Sequence, residues 1–328
     1  MKSIEIQIYS TRISGVWQIY TDFYKFLIRV NPFNQRHQRS VFASKLYLAL
    51  FIFGATIATS QNKKTTEKST PKPFELGVIE ELQSTILSEK RILNIYLPEG
   101  YKQNDTIKYP VIYLLDGGAD EDFIHTVGLV QYNTFSWINR IPQSIVVGIA
   151  NIDRRRDFTF PTSIEEDKKK APTTGGSSRF IDFLAKELQP FIQEKYKANN
   201  SKTIIGQSLG GLLATEILFT KPTLFDKYII ISPSLWWNDG SILKQNPEIL
   251  NENFSQKTEV YIGVGKEGLA PTKNPHVMEI DANILADKLQ LTKSKSVKIY
   301  FDYMPEENHA TSSHPALFNA FRLLYPKK

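Results

Sequence analysis

From about Phe74 onward, apolar runs of strand length alternate with amphipathic stretches of helix length, and that alternation leaves few architectures open. Ile92–Leu97 alternates like a strand and stops at Pro98. Val111–Leu115 is continuously apolar, as a strand buried on both faces must be. Ile145–Ile149, Thr203–Ile205, Tyr228–Ile231, Val260–Val264 and Val297–Phe301 repeat the character. Between them, 178–196, 211–221, 280–290 and 315–324 have helix length. Strands alternating with helices predict an α/β fold, with a mainly parallel central sheet and helices on both faces. Sites in such sheets lie at the carboxyl ends of the strands. Catalytic residues must therefore follow strands.

Gly206-Gln207-Ser208-Leu209-Gly210 meets that demand. It fits the G-x-S-x-G elbow, in which a serine sits on a sharp, strained strand-to-helix turn. Small residues two places to either side avoid a clash, and here a short β-branched strand enters and a helix-forming run leaves. Ser208 is the expected nucleophile. In such an arrangement an acid and then a histidine follow in chain order. Glu267 comes just after Val260–Val264, and His309 lies on the loop after Val297–Tyr303. His309 would take the proton of Ser208, and Glu267 would hold the imidazole tautomer. Asp302 within the last strand and Asp281 at a helix start are the competing acids, and Glu306 and Glu307 flank the histidine. His314 is the rival base, although its place before Pro315 suits a helix start. Two backbone N–H groups must face the developing oxyanion. Leu209 supplies one; Asp116-Gly117-Gly118 supplies the other, with Gly118 preferred and Gly117 the alternative.

These residues resemble the esterase branch of the α/β-hydrolases, which includes enterochelin-type siderophore esterases, S-formylglutathione hydrolases and feruloyl or acetyl xylan esterases. The resemblance spans roughly residues 74–325. It is carried by Tyr113-Leu114-Leu115-Asp116-Gly117, by 151–159, by the elbow, by Ser232-Pro233-Ser234-Leu235-Trp236-Trp237 and by Glu307-Asn308-His309. It implies the α/β-hydrolase fold and a Ser–acid–His acyl-enzyme mechanism without metal or cofactor. It also implies that Arg154 and Arg156 line the substrate pocket, where arginine pairs with anionic groups and stacks on rings. The competing reading is a loop salt-bridged through Asp153 and Asp157. Trp236 and Trp237 would form an aromatic wall, or else pack beneath a cap. Lys168-Lys169-Lys170 reads as a solvated loop or lid. The expected activity is carboxylic-ester hydrolysis of a small molecule. Acyl transfer to an alcohol, or a catalytically silent ligand-binding scaffold, are the alternatives.

The amino-terminal part reads differently. Leu46–Ala58 is a short apolar segment behind Arg36, Arg39 and Lys45, and it ends in the small-x-small sequence Ala58-Thr59-Ser60. That pattern predicts an export signal, or a membrane anchor if it is not cleaved. Residues 61–73, rich in Lys, Thr, Ser and Pro, read as a linker to a catalytic domain at 74–328. The expected location is periplasmic or extracellular. Of the net charge of +6, residues 1–60 carry most, with seven Lys/Arg against two acids. The remainder is close to neutral, which argues against nucleic acid as a partner. The chain has no cysteine, so disulfides and thiolate chemistry are excluded.

Overall fold

A computed structural model describes residues 70–104 and 106–326. The expected signal segment 46–58 lies outside the described residues, as does most of the expected linker. Among the described residues, no helix is long and apolar enough to cross a membrane.

Eight strands form one sheet in the order β1-β2-β4-β3-β5-β6-β7-β8. They are β1 (Val78–Ser84), β2 (Glu89–Tyr96), β3 (Tyr109–Leu114), β4 (Ile145–Ile149), β5 (Ala198–Gln207), β6 (Lys227–Ile231), β7 (Thr258–Gly265) and β8 (Val297–Met304). β1 and β2 pair antiparallel, as do β2 and β4, and all remaining pairs are parallel. The seven expected strands are present. The edge strand β1 was not expected: its side chains are mostly exposed, so it lacks the apolar run that marks a buried strand.

Side chains alternate across the sheet, and each face has its own core. Val111, Tyr113 and Leu115 point to one face, beneath α4 (Ser177–Phe183), α5 (Gln189–Lys195), α6 (Leu209–Thr220) and α7 (Met278–Gln290). Ile112 and Leu114 point to the other, covered by α1 (Phe123–Thr134) and α8 (Ser313–Leu324). Helix α1 was not expected, because Val, Thr, Tyr and Gly128 are poor helix formers. Its buried Phe123, Val127 and Val130 make it a helix through packing. The expected helix over 178–196 is α4 and α5 joined by a π-helical turn at Leu184–Leu188. Pro190 follows that turn; lacking an N–H, it sits where the helical ladder is already rearranged.

Two short helices occupy the excursion after β4: α2 (Arg154–Phe158) and α3 (Glu165–Lys170). Lys168–Lys170, expected in a loop, form the last turn of α3 behind an acidic first turn, the charge order that a helix dipole favours.

Strand register sets the position of the site. Gln207 is level with Ile231, Ile231 with Gly263, and Gly265 with Met304. Chain that leaves β5, β6, β7 and β8 therefore emerges along one rim.

Candidate active site

Ser208 follows β5 directly and opens α6 with φ 58° and ψ −119°. This backbone conformation is strained for any residue with a Cβ. The strain is held from both sides: the Ser208 N–H donates to Ile231 O at 3.0 Å, and Ser208 O accepts from the Leu212 N–H at 2.9 Å. A Cβ at position 206 would lie 2.3 Å from Gly210 O, so the turn closes only with glycine there.

His309 Nε2 lies 3.1 Å from Ser208 Oγ, and His309 Nδ1 lies 2.6 Å from Glu267 Oε2. The Glu267 side chain is 1% exposed and that of His309 45%. The acid is thus shielded, while the imidazole faces the open side of the site. Two contacts hold the histidine loop against the sheet. Gln207 Nε2 donates to His309 O at 2.7 Å, and the Lys266 N–H donates to Glu307 O at 2.7 Å. Gly265 is the point of closest approach, since a Cβ there would meet Glu307 O at 2.6 Å.

The competing groups have other partners. Asp302 accepts from Tyr261 Oη at 2.7 Å and from Asn319 Nδ2 at 2.9 Å. Asp281 pairs with His276 at 2.9 Å. His314 Nδ1 faces His125 Nε2 at 2.6 Å, which joins α8 to α1 and leaves the helix start at Ser312.

Leu209 is the first residue of α6, where backbone N–H groups have no intrahelical acceptor. The Gly118 N–H donates to Glu121 Oε2 at 2.8 Å, and Glu121 Oε1 accepts from Asn151 Nδ2 at 2.7 Å. The Gly117 N–H donates to Ile149 O at 3.0 Å. Of the two glycines, Gly118 is therefore held by a side chain that can move and Gly117 by backbone.

The two arginines face different ways. Arg154 grips Asp116 with Nε at 2.5 Å and Nη2 at 2.8 Å, and Nη2 also reaches Gln207 O at 3.3 Å. It thereby ties the turn after β3 to the elbow, with its guanidinium 5.5 Å from the Phe158 ring centre. Arg156 directs Nε to Asp157 at 2.7 Å, and Nη1 and Nη2 to Glu89 at 3.1 and 2.6 Å. Buried Arg91 pairs with the same two acids. Asp157 is indeed a partner, as the salt-bridged reading has it, but Asp153 accepts from the Arg156 backbone N–H instead.

The two tryptophans also differ. Trp237 is 2% exposed, and its Nε1 donates to Phe160 O at 2.8 Å, so it belongs to the core. Trp236 is half-buried and lines a depression of about 420 Å³ with Ile164, Glu165, Asp239 and His276. Ser234, two residues before Trp236, brings its Oγ to 3.3 Å from Ser208 Oγ. Sequence reasoning placed Ser232, Ser234, Gln207 and Asn151 in motifs without giving them a role, and did not single out Ser312 or Glu121.

Among the described residues, no group of three or more His, Asp or Glu side chains is arranged to hold a metal ion.

Known proteins resemble the chain in sequence and in fold. The ferri-bacillibactin esterase BesA of Bacillus subtilis is 27% identical over 264 residues, 76% of this chain and 90% of that protein. The siderophore triacetylfusarinine C esterase of Aspergillus fumigatus is 33% identical over 156 residues, 44% of this chain and 50% of that protein. Among solved structures, an IroE-like serine hydrolase from Shewanella oneidensis superposes with a TM-score of 0.65 at 31% identity. That match covers 76% of this chain and 80% of the other. The sheet order, the two helical layers and these neighbours are those of the α/β-hydrolase fold. The family model described as "Putative esterase" matches residues 84–314, so the chain belongs to that family and is a carboxylic-ester hydrolase.

Proposed function

We propose that the chain cleaves carboxylic esters through an acyl-enzyme on Ser208, with His309 as general base and Glu267 as its orienting acid. The observation that carries this reading is the unbroken hydrogen-bonded line from Ser208 Oγ through the His309 ring to Glu267, at 3.1 and 2.6 Å. Ser208 Oγ attacks the ester carbonyl carbon as its proton passes to His309 Nε2. The imidazolium Nδ1–H stays on Glu267, and Nε2–H then protonates the departing alkoxide. Water, activated by the same nitrogen, adds to the acyl carbon and releases the acid. The Leu209 and Gly118 N–H groups receive the oxyanion in each half of the reaction, once substrate has displaced Glu121 from Gly118.

For substrate, we propose the ester bonds of a siderophore, the class named for BesA, with which the chain aligns over 90% of that protein's length. Arg154 is the arginine assigned to the pocket rim; Arg156 is committed to its acids. The Leu46–Ala58 segment is assigned to export, which fits an enzyme meeting its substrate outside the cytoplasm.

The test is turnover of p-nitrophenyl butyrate and of a tri-catechol lactone by wild type and by Ser208→Ala. A loss of at least about a thousandfold in the variant is expected. Equal rates in the two proteins would overturn the assignment of Ser208. Turnover of the aryl ester without the lactone would overturn the substrate class and leave the mechanism standing.

A further inference from the structure

Glu267 has two carboxylate oxygens, and His309 uses only Oε2. A buried carboxylate requires hydrogen-bond donors on its other oxygen as well. Oε1 receives a short hydrogen bond from Ser232 Oγ and a longer one, at 3.3 Å, from the Gly265 N–H. Ser232 is fully buried and sits immediately after β6, one strand from β7 and the acid it contacts. Its Oγ lies 2.9 Å from Ser312 Oγ, which is also fully buried.

The proton directions follow from the chemistry. An ionised carboxylate only accepts, so the Ser232 hydroxyl donates to Glu267. Its oxygen is then the acceptor toward Ser312, whose hydroxyl donates to it. Ser312 stands at the start of α8, where a serine hydroxyl ordinarily caps its own helix. Here it makes no cap bond. Instead its backbone N–H donates to Asn308 O at 3.0 Å, beside His309. The row Ser312–Ser232–Glu267–His309 thus closes on itself, from the histidine loop through two hydroxyls to the acid and back.

Ser232 also holds φ at 44°, in the left-handed region that a serine adopts at a cost. Glycine would suit that backbone better, so the side chain is retained against local preference. We infer that Ser232, backed by Ser312, is a positioning residue that fixes the Glu267 carboxylate for its bond to His309, and so sets the rate of both proton transfers at Ser208. This rests on the triad reading given above.

The experiment compares wild type, Ser232→Gly, Ser312→Ala and Ser208→Ala on p-nitrophenyl butyrate, with active sites counted by a fluorophosphonate titration. Glycine relieves the backbone but leaves Glu267 Oε1 with one long bond, so Ser232→Gly should melt somewhat lower than wild type and remain folded at the assay temperature. Its titrated site count should match wild type, while kcat falls about 10- to 100-fold, the worth of a hydrogen bond to a charged group. KM should stay within about twofold, and phosphonylation should slow in step with kcat. Ser312→Ala, one bond further away, should lose about 3- to 10-fold.

A wild-type kcat in Ser232→Gly overturns the inference. So does a loss matched by missing titratable sites, with Ser312→Ala at the wild-type rate. Failure of the triad reading would show separately, as equal rates in wild type and Ser208→Ala, and would overturn both.

Discussion

Glu216 lies on α6, two turns beyond Ser208, with Oε1 bonded to Ser177 Oγ at 2.9 Å. Its Oε2 is shielded from solvent and has no hydrogen-bond partner. Burial lifts its carboxyl from the ordinary 4.5 to about 7, and the bond from Ser177 only partly offsets that rise. The unfolded chain keeps the ordinary value. Between pH 4.5 and 7 the unfolded state has therefore released a proton that the folded state retains. Stability must fall as pH rises through this window, and the gap corresponds to about 3 kcal/mol. The contribution is fully present below pH 4.5 and gone above about pH 8.

Glu216→Gln keeps the shape and removes the titration. Burying its amide adds a roughly constant offset, about 1–3 kcal/mol, which does not change with pH. Urea unfolding of both proteins at intervals from pH 4.5 to 8.5 gives two stability curves. Their difference should change by about 3 kcal/mol, with wild type losing ground steadily up to pH 7 and levelling beyond. Parallel curves would refute the reasoning, because they would mean that Glu216 is solvated or paired in the folded state.

Three further outcomes are expected. Gly206→Ala drives a Cβ to 2.3 Å from Gly210 O with backbone on both sides, and should cost about 3 kcal/mol in urea unfolding; an unchanged midpoint would show that the elbow can relax. Glu121→Ala frees the Gly118 N–H and should speed acylation by p-nitrophenyl butyrate about 3- to 10-fold, whereas an equal or slower rate would remove Gly118 from the oxyanion assignment. Arg154→Lys should lose nearly as much kcat/KM as Arg154→Ala, about 10-fold, since an ammonium cannot grip both Asp116 oxygens and Gln207 O; full activity in the lysine variant would reduce Arg154 to a point charge.

Parts of this molecule are legible in its sequence because a single local cause produces them. Strands buried on both faces must be apolar throughout, so β3, β4, β6 and β7 announce themselves. Gly206 is required by the turn itself, since a Cβ there would meet Gly210 O at 2.3 Å. Other parts have causes distant in the chain. Ser232 meets Glu267 only because β6 and β7 pair in the observed register, and Ser312 joins them only once α8 has docked. Neither contact leaves a mark in the local pattern. Arg154 and Arg156 look equivalent in sequence, yet residues two apart on a helix point to nearly opposite sides. One therefore reaches the elbow, and the other reaches Glu89 on β2. Helix α1 escapes a local reading for a related reason, since its residues favour extended chain and packing overrides them.

The excursion between β4 and α4 has a bearing on how such a chain can diversify. Ser208, Glu267 and His309, which we propose as nucleophile, acid and base, follow β5, β7 and β8, and none of them lies within residues 150–176. That segment reaches the rim by way of Arg154, which touches Asp116 and Gln207, and by way of Phe160 and Thr162, which meet Trp237 and Asn238. Outside those contacts, and those of Arg156 and Asp157 with Glu89 and Arg91 on β2, its length and side chains can drift without changing the strand spacing on which the chemistry depends. Descent with modification can in this way rewrite what the enzyme accepts while inheriting how it cuts.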